Sequence, residues 1–248
     1  MAAMGLVAVS LIGNEASGIV TASGSAAASR FQPGDRVTLL WEGMHASCRL
    51  PTLGPRHRPP RTRQRRQTTP GPIRPHPPAA GGVGQAALQL AAHLHLVVYA
   101  TVGSEDKRRL LMEKYNLPKG RIFHFRDASF VKAVKRVTGG RGVDCVLNSL
   151  SGELLRASWT CLAPFGTFVE TGLRDITNNM RLDMRPFSRS TTFAFINMVN
   201  FSNAEGLDVL GQILSDAFAF VHKSVLGAAY PLAVYPVAEL ETGCTAME

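Results

Sequence analysis

The chain has 248 residues, 45% of them apolar and 18% charged, a balance that excludes a wholly disordered polypeptide. Its four cysteines, Cys48, Cys145, Cys161 and Cys244, form no C-x-x-C pair, which argues against a disulfide framework or structural zinc site and for a reducing, cytoplasmic setting. The net charge of +9 belongs to one segment: Arg49, Arg56, Arg58, Arg61, Arg63, Arg65, Arg66 and Arg74 lie between residues 49 and 78 with no acidic residue among them, leaving the rest near +1.

Residues 1–47 hold short β-type runs broken by glycine. The apolar start, Met1 to Ile12, lacks the basic flank of a secretory signal and runs into Gly13-Asn14-Glu15-Ala16-Ser17-Gly18 and a strand-like Ile19-Val20. Phe31 to Val37 is a tight turn into a strand. No apolar run reaches the ~18 residues of a membrane span, so no membrane partner is expected. Residues 48–78 combine nine prolines with the eight arginines and show neither helical nor alternating periodicity. They cannot bury enough apolar surface to offset ordering and are expected to be disordered. With no aromatic residue for base stacking, they do not make a nucleic-acid partner the expected one.

From residue 79 to 203 the pattern changes to alternating helices and strands. Gln85 to Leu94 is an apolar helix and Leu96 to Thr101 a buried strand. Ser104 caps a charged helix reaching about Tyr115, and Ser129 to Val137 is a further helix closed by Gly139-Gly140. Val143 to Asn148 is a strand, Gly152 to Leu162 a helix, and Gly166 to Glu170 and Thr192 to Ile196 two more strands. This alternation predicts an α/β fold with a doubly wound, Rossmann-type parallel sheet. In residues 204–248 a helix from about Leu207 to His222 leads to Tyr230 to Tyr235 and a helix start at Glu239-Leu240-Glu241.

Ala79-Ala80-Gly81-Gly82-Val83-Gly84-Gln85 opens the first helix of that alternation. Gly81, Gly82 and Gly84, with Ala80 and Val83, allow close backbone approach to a pyrophosphate seated on the helix N-terminus. After the next strand, Ser104 with Lys107 and Arg108 favours a 2′-phosphate, hence NADPH over NADH. The competing reading is a plain helix start with surface charges. Asn148, Ser149 and Leu150, and then Gly172, follow later strands at their carboxyl ends, where open α/β sheets bind ligands. Ordinary strand-to-helix turns would look the same. The histidines, His45, His57, His76, His93, His95, His124 and His222, share no metal-binding spacing.

These motifs, together with Leu11 to Gly18, Phe31 to Val37, Arg126-Asp127-Ala128-Ser129-Phe130, Gly139 to Leu150 and Gly166 to Arg174, resemble the medium-chain dehydrogenase/reductase superfamily. More narrowly, they resemble the zinc-independent, quinone-oxidoreductase-like enoyl reductase domains of highly reducing polyketide synthases. The resemblance implies NADPH-dependent reduction of an α,β-enoyl thioester on an acyl carrier protein, with other synthase domains as further partners. It implies no metal, since Gly13-Asn14-Glu15 stands where zinc-dependent relatives carry Gly-His-Glu. It also implies two candidate proton donors, Lys107 and Asp127. Residues 1–47 are then a partial GroES-like substrate subdomain, 79–203 the NADPH-binding domain and 204–248 a truncated return to the substrate subdomain.

Residues 48–78 do not resemble the family. Where the strand that launches the glycine turn is expected, Pro70 to Pro78 stand instead, and proline removes a ladder donor at each occurrence. The expectation is that the first strand of the sheet is lost and activity impaired. An inactive, frameshifted or mis-spliced fragment and a free-standing quinone oxidoreductase are the alternative readings.

Overall fold

The computed structural model describes residues 15–20, 22, 32–40, 73–75, 79–202 and 204–232. The expectations for Met1 to Asn14, Cys48, Cys244, the helix start at Glu239 and most of 48–78 lie outside them. The chain divides into two compact units, one from residues 1–66 and 197–219, the other from residues 67–196 and 220–248.

In the first unit β1 (Glu15–Ile19) pairs antiparallel with β2 (Arg36–Leu40), Ile19 opposite Arg36. The pair is prolonged by Val20 donating to Asp35 O and Gly34 donating to Val20 O, both at 2.8 Å. The turn before β2 forms because Gly34 takes φ +100 and the Asp35 carboxylate accepts from Gln32 N at 2.8 Å. This is the turn that Pro33-Gly34-Asp35 predicts.

The second unit alternates strand and helix: β3 (Ile73–Pro75), α1 (Gly82–His93), β4 (Ala100–Val102), α2 (Glu105–Tyr115), β5 (Ile122–His124) and α3 (Ser129–Val137). Then come β6 (Val143–Asn148), α4 (Glu153–Trp159), β7 (Leu162–Glu170), α5 (Arg174–Thr177) and β8 (Thr192–Phe195). Helix α6 (Ala204–His222) follows. All strand pairings in the second unit are parallel, as the alternation predicts. The strands form a quartet ordered β3-β6-β7-β8 and a separate pair, β4-β5.

One expectation needs correction. The first strand is not lost: Ile73–Pro75 pairs with β6, Ile73 opposite Cys145 and Pro75 opposite Leu147. What survives is a three-residue strand held by β6. The following turn is tied to β4 by Ala79 N donating to Thr101 O at 3.1 Å. Other differences are smaller. The strand expected at 96–101 is Ala100–Val102, and β5 was not expected at all. β7 begins at Leu162 rather than Gly166, because a register shift opposite β6 between Val143 and Cys145 absorbs Pro164 and the exposed Phe165.

Two cores hold this unit. One gathers Phe130, Val134, Val143, Val146, Leu155, Leu162 and Phe168 around Trp159. The Trp159 ring meets Phe187, Phe168 and Phe193 edge-on at centroid distances of 4.9, 5.5 and 5.7 Å, and its Nε1 donates to Asp183 O at 2.8 Å. The other packs Ala79, Leu88, Ala91, Val98, Ala100, Val102, Leu111 and Ile122. Trp159→Ala vacates the centre of the first core and leaves Asp183 O without its donor. It should lower unfolding free energy by about 3–5 kcal/mol, read as a lower urea midpoint at unchanged slope.

Candidate functional site

Helix α1 starts at Gly82 with Gly81 as its N-cap, at φ −78 and ψ 170, and no side chain caps it. The N–H groups of its first turn therefore point out of the helix mouth with the positive end of the dipole behind them. The two neighbouring glycines differ in what they permit. A Cβ on Gly84 would stand 2.6 Å from Ala79 Cα and Ala79 O, so only glycine lets the helix lie this close to the turn. A Cβ on Gly82 would meet nothing within 4 Å: that side of the helix mouth is open.

Behind the turn the buried Gln85 makes four hydrogen bonds. Its Nε2 donates to Ala80 O and Tyr230 O, each at 2.7 Å; its Oε1 accepts from Tyr115 Oη at 2.6 Å and Tyr230 N at 2.8 Å. It thereby fixes the turn to the end of α2 and to the segment around Tyr230. Sequence reading took Gln85 only as a helix residue, and nothing local announces such a long-range role.

At the end of β4, Ser104 caps α2 by accepting from Lys107 N at 3.3 Å, as its position predicts. The Lys107 side chain is exposed. Arg108 is turned back onto the protein: Nη1 reaches Glu105 Oε1 at 3.3 Å and Nη2 donates to Lys119 O at 3.4 Å. His124 Nε2, at the end of β5, lies 2.8 Å from the same Glu105 oxygen. Those hydrogen bonds, His124 first and then Arg108, hold the Glu105 carboxyl below its usual range. Arg108 Nε and His124 Nδ1 are buried without partners. Sequence reading missed His124, because only the fold brings β5 beside α2.

Asp127 is exposed and accepts from Ser129 N at 2.8 Å, at the start of α3. Hydrogen bonds from the Ser129 side chain and backbone lower its pKa, so it stands as a carboxylate near neutral pH.

The loops after β6 and β7 meet through a buried carboxyl. Asn148 Nδ2 donates to Leu150 O at 2.7 Å and to Glu170 Oε2 at 2.5 Å, and Gly172 N donates to Glu170 Oε1 at 2.5 Å. Thr171 donates to Asn148 O through both N and Oγ1, each at 2.8 Å. Burial pushes the Glu170 carboxyl up to about 7, against the pull of the Asn148, Gly172 and Thr171 hydrogen bonds. A Cβ at Gly172 would lie 2.8 Å from Glu170 Oε1 and 3.2 Å from Ser149 O, so a side chain there would displace the Glu170 carboxyl. The structure thus brings Asn148, Ser149, Leu150 and Gly172 into one loop pair and adds Glu170, which sequence reading took as an ordinary strand end.

The three groups lie at the carboxyl ends of parallel strands or at the turn after β3, the edge where open α/β sheets take ligands. The open face of Gly82 and the unpaired, buried Asn148 Oδ1 fit a bound dinucleotide. A cavity of about 710 Å³ lies elsewhere, between the far part of α1, the end of α2 and residues 224–228, and contains none of these residues. Among the described residues no cluster of three or more His, Cys, Asp or Glu side chains could hold a metal ion.

The family model for zinc-binding dehydrogenases matches residues 82–208. The highly reducing polyketide synthase curS1 of Aspergillus terreus is 69% identical over 268 aligned positions, covering all of this chain and 11% of that protein. The chain thus spans about a tenth of the length of the curated relatives it matches. Among solved structures, the nucleotide-binding subdomain of the enoylreductase domain of PpsC from Mycobacterium tuberculosis is 29% identical, with TM-score 0.55, covering 64% of this chain and 87% of that one. A mycobacterial protein complexed with NADPH shares the fold at 20% identity and TM-score 0.64, covering 96% of this chain and 79% of that one. Nothing in the described donor set fits the zinc of the family's name. The chain belongs to the zinc-binding dehydrogenase family of the medium-chain dehydrogenase/reductase superfamily, as an enoyl-reductase-like oxidoreductase domain of the kind carried by reducing polyketide synthases.

Proposed function

We propose that the chain is an NADPH-dependent enoyl reductase domain that reduces an α,β-enoyl thioester carried on an acyl carrier protein, beside other polyketide synthase domains in a cytoplasmic assembly. The observation that carries this reading is the pair of glycines at the mouth of α1. Gly84 is closed against Ala79 and serves the fold, whereas Gly82 faces open space that the fold itself does not need.

In this reading the pyrophosphate rests on the N–H groups of residues 80–84. The adenosine 2′-phosphate takes Ser104, Lys107 and Arg108, and the nicotinamide half runs along Asn148, Ser149, Leu150 and Gly172. A 2′-phosphate beside the Glu105 anion needs cationic cover, which Arg108 supplies, while His124 takes up the same Glu105 oxygen in a hydrogen bond. Bound NADPH supplies a hydride to the substrate β-carbon. The double-bond electron pair moves to the α-carbon, which takes a proton. Of the two candidate donors, Lys107 and Asp127, Asp127 is held as an anion by Ser129, which favours Lys107. Residues 1–47 and 204–248 belong to a GroES-like substrate subdomain, and residues 79–203 to the nucleotide domain.

A second reading, that turnover is impaired in this chain, is favoured by two observations. The strand before the turn carrying the glycines, β3, is only three residues long. The alignment to curS1, at 268 positions, also exceeds the 248 residues of this chain, so at least 20 positions of that relative have no counterpart here.

Gly82→Ala should leave unfolding stability within about 0.5 kcal/mol and weaken NADPH binding at least tenfold, measured by nucleotide fluorescence titration. Gly84→Ala should cost about 1–3 kcal/mol of stability from overpacking, read by urea unfolding. Equal nucleotide affinity for Gly82→Ala and the unaltered chain would remove the pyrophosphate from this turn. Crotonyl thioester and a quinone, each assayed with NADPH, separate an enoyl reductase from a quinone oxidoreductase. NADPH binding without turnover of either supports the impaired reading.

A further inference from the structure

We propose that Glu170 is a positioning residue for the nicotinamide half of the cofactor, its buried carboxyl holding the loops after β6 and β7 in the arrangement that lets Asn148, Ser149, Leu150 and Gly172 line one site. The proposal rests on the cofactor reading above and goes beyond it by assigning a role to a residue that touches no ligand in that reading.

Glu170 ends β7, opposite Asn148 of β6 and Phe195 of β8. A carboxylate at the end of a strand would ordinarily reach water, but this one is fully buried. Each of its oxygens accepts from a different loop, Oε2 from the Asn148 side-chain amide and Oε1 from Gly172 N. The backbone completes the clamp: Thr171 N donates to Asn148 O and Ile196 N to Glu170 O, at 2.8 and 2.9 Å. The carboxyl also fills the space that a side chain at position 172 would need. Burying a carboxyl costs free energy, and this one costs it where no packing demands it.

Ionisation decides whether the clamp is whole. As a carboxylate, Glu170 is acceptor-only and takes a charge-assisted bond from each donor; once protonated it loses that charge, and the acceptor at hand for its O–H is the unpaired Asn148 Oδ1, which it reaches only if that amide turns and Nδ2 gives up Glu170. The neighbouring strand residues, Asn148 from β6 and Phe195 from β8, carry no charge. Beyond β7, Asp175 on α5 opposes ionisation while accepting from Gly152 N at 2.6 Å, and Arg174 is turned to Ser151 Oγ at 3.5 Å. On α4, Glu153 and Arg156 pair with each other.

Two consequences of opposite sign follow. The carboxyl titrates near 7 when folded and lower when unfolded, so its contribution to stability is greatest in acid and is lost as pH rises through about 7. The clamp, and with it nucleotide affinity, is instead whole above that pH and opens below it. A residue that merely stabilised the fold would not move affinity and stability in opposite directions.

The test uses the whole chain, with NADPH and NADH titrated from about pH 5.5 to 8.5, on either side of the Glu170 midpoint of about 7. NADH, which lacks the 2′-phosphate, separates the Glu170 step from any pH effect at that phosphate. Affinity for both nucleotides should fall roughly tenfold below the midpoint, the effect of one lost charge-assisted hydrogen bond, while the thermal midpoint rises. Glu170→Gln should flatten both profiles and bind with the weaker affinity throughout. In nitrogen-15 NMR the Gly172 amide shift of the unaltered chain should titrate with the same midpoint, a readout that needs neither the variant nor a ligand. A Gly172 shift that titrates without any step in nucleotide affinity overturns the positioning role and leaves the cofactor reading standing. So does an affinity step that persists in Glu170→Gln. If neither nucleotide binds at any pH while Gly172 still titrates, the cofactor reading itself has failed and the role assigned to Glu170 falls with it.

Discussion

The contact between Gly84 and Ala79 sets where everything else at the nucleotide end can be. With no side chain at 84, α1 packs directly against the backbone of the turn that precedes it. Ala79 is fully buried there and joins the core of Leu88, Ala91, Ala100 and Leu111. The same closeness brings Gln85 under Ala80 O, from where its amide spans to Tyr115 and Tyr230. An amide with all four of its hydrogen bonds made in a dry interior tolerates little displacement. The direction in which α1 presents its N-terminus therefore follows from one missing Cβ and one saturated glutamine.

Charge is arranged in the same layered way at the other two groups. Glu105 lies beside a proposed phosphate site, an arrangement that would repel an anion if Glu105 stood alone. Arg108 offsets its charge, and His124 shares its carboxylate in a hydrogen bond. Glu170 is a carboxyl that burial drives toward neutrality and hydrogen bonds draw back, leaving it balanced near neutral pH. In both places the side chains that sequence spacing picks out depend on a partner from another strand.

Local features were legible for physical reasons. Ser104 and the Pro33-Gly34-Asp35 turn obey short-range rules, in which the hydrogen-bonding partners lie within a few residues. Buried β6 and the amphipathic α3 follow from periodicity alone. The strand β5, at three residues, is too short for a pattern, and the irregular start of β7 hides its length behind Pro164 and Gly166. His124, Gln85 and Glu170 were not legible as site residues because their roles come from neighbours 19, 145 and 22 positions away. The strand β3 is hidden among prolines, because three residues paired with β6 are too few to show a pattern of their own.

The two cores of the second unit carry different parts of the proposed site. Beside the core around Leu111 stand β4 and β5, with Ser104, Lys107 and Arg108; beside the core around Trp159 stand β6 and β7, with Asn148, Glu170 and Gly172. A long ligand seated on both groups would favour the state in which both cores are folded, so part of its binding energy would appear as stability of the whole unit. In this chain the nucleotide would be a structural member of the unit as well as a reagent.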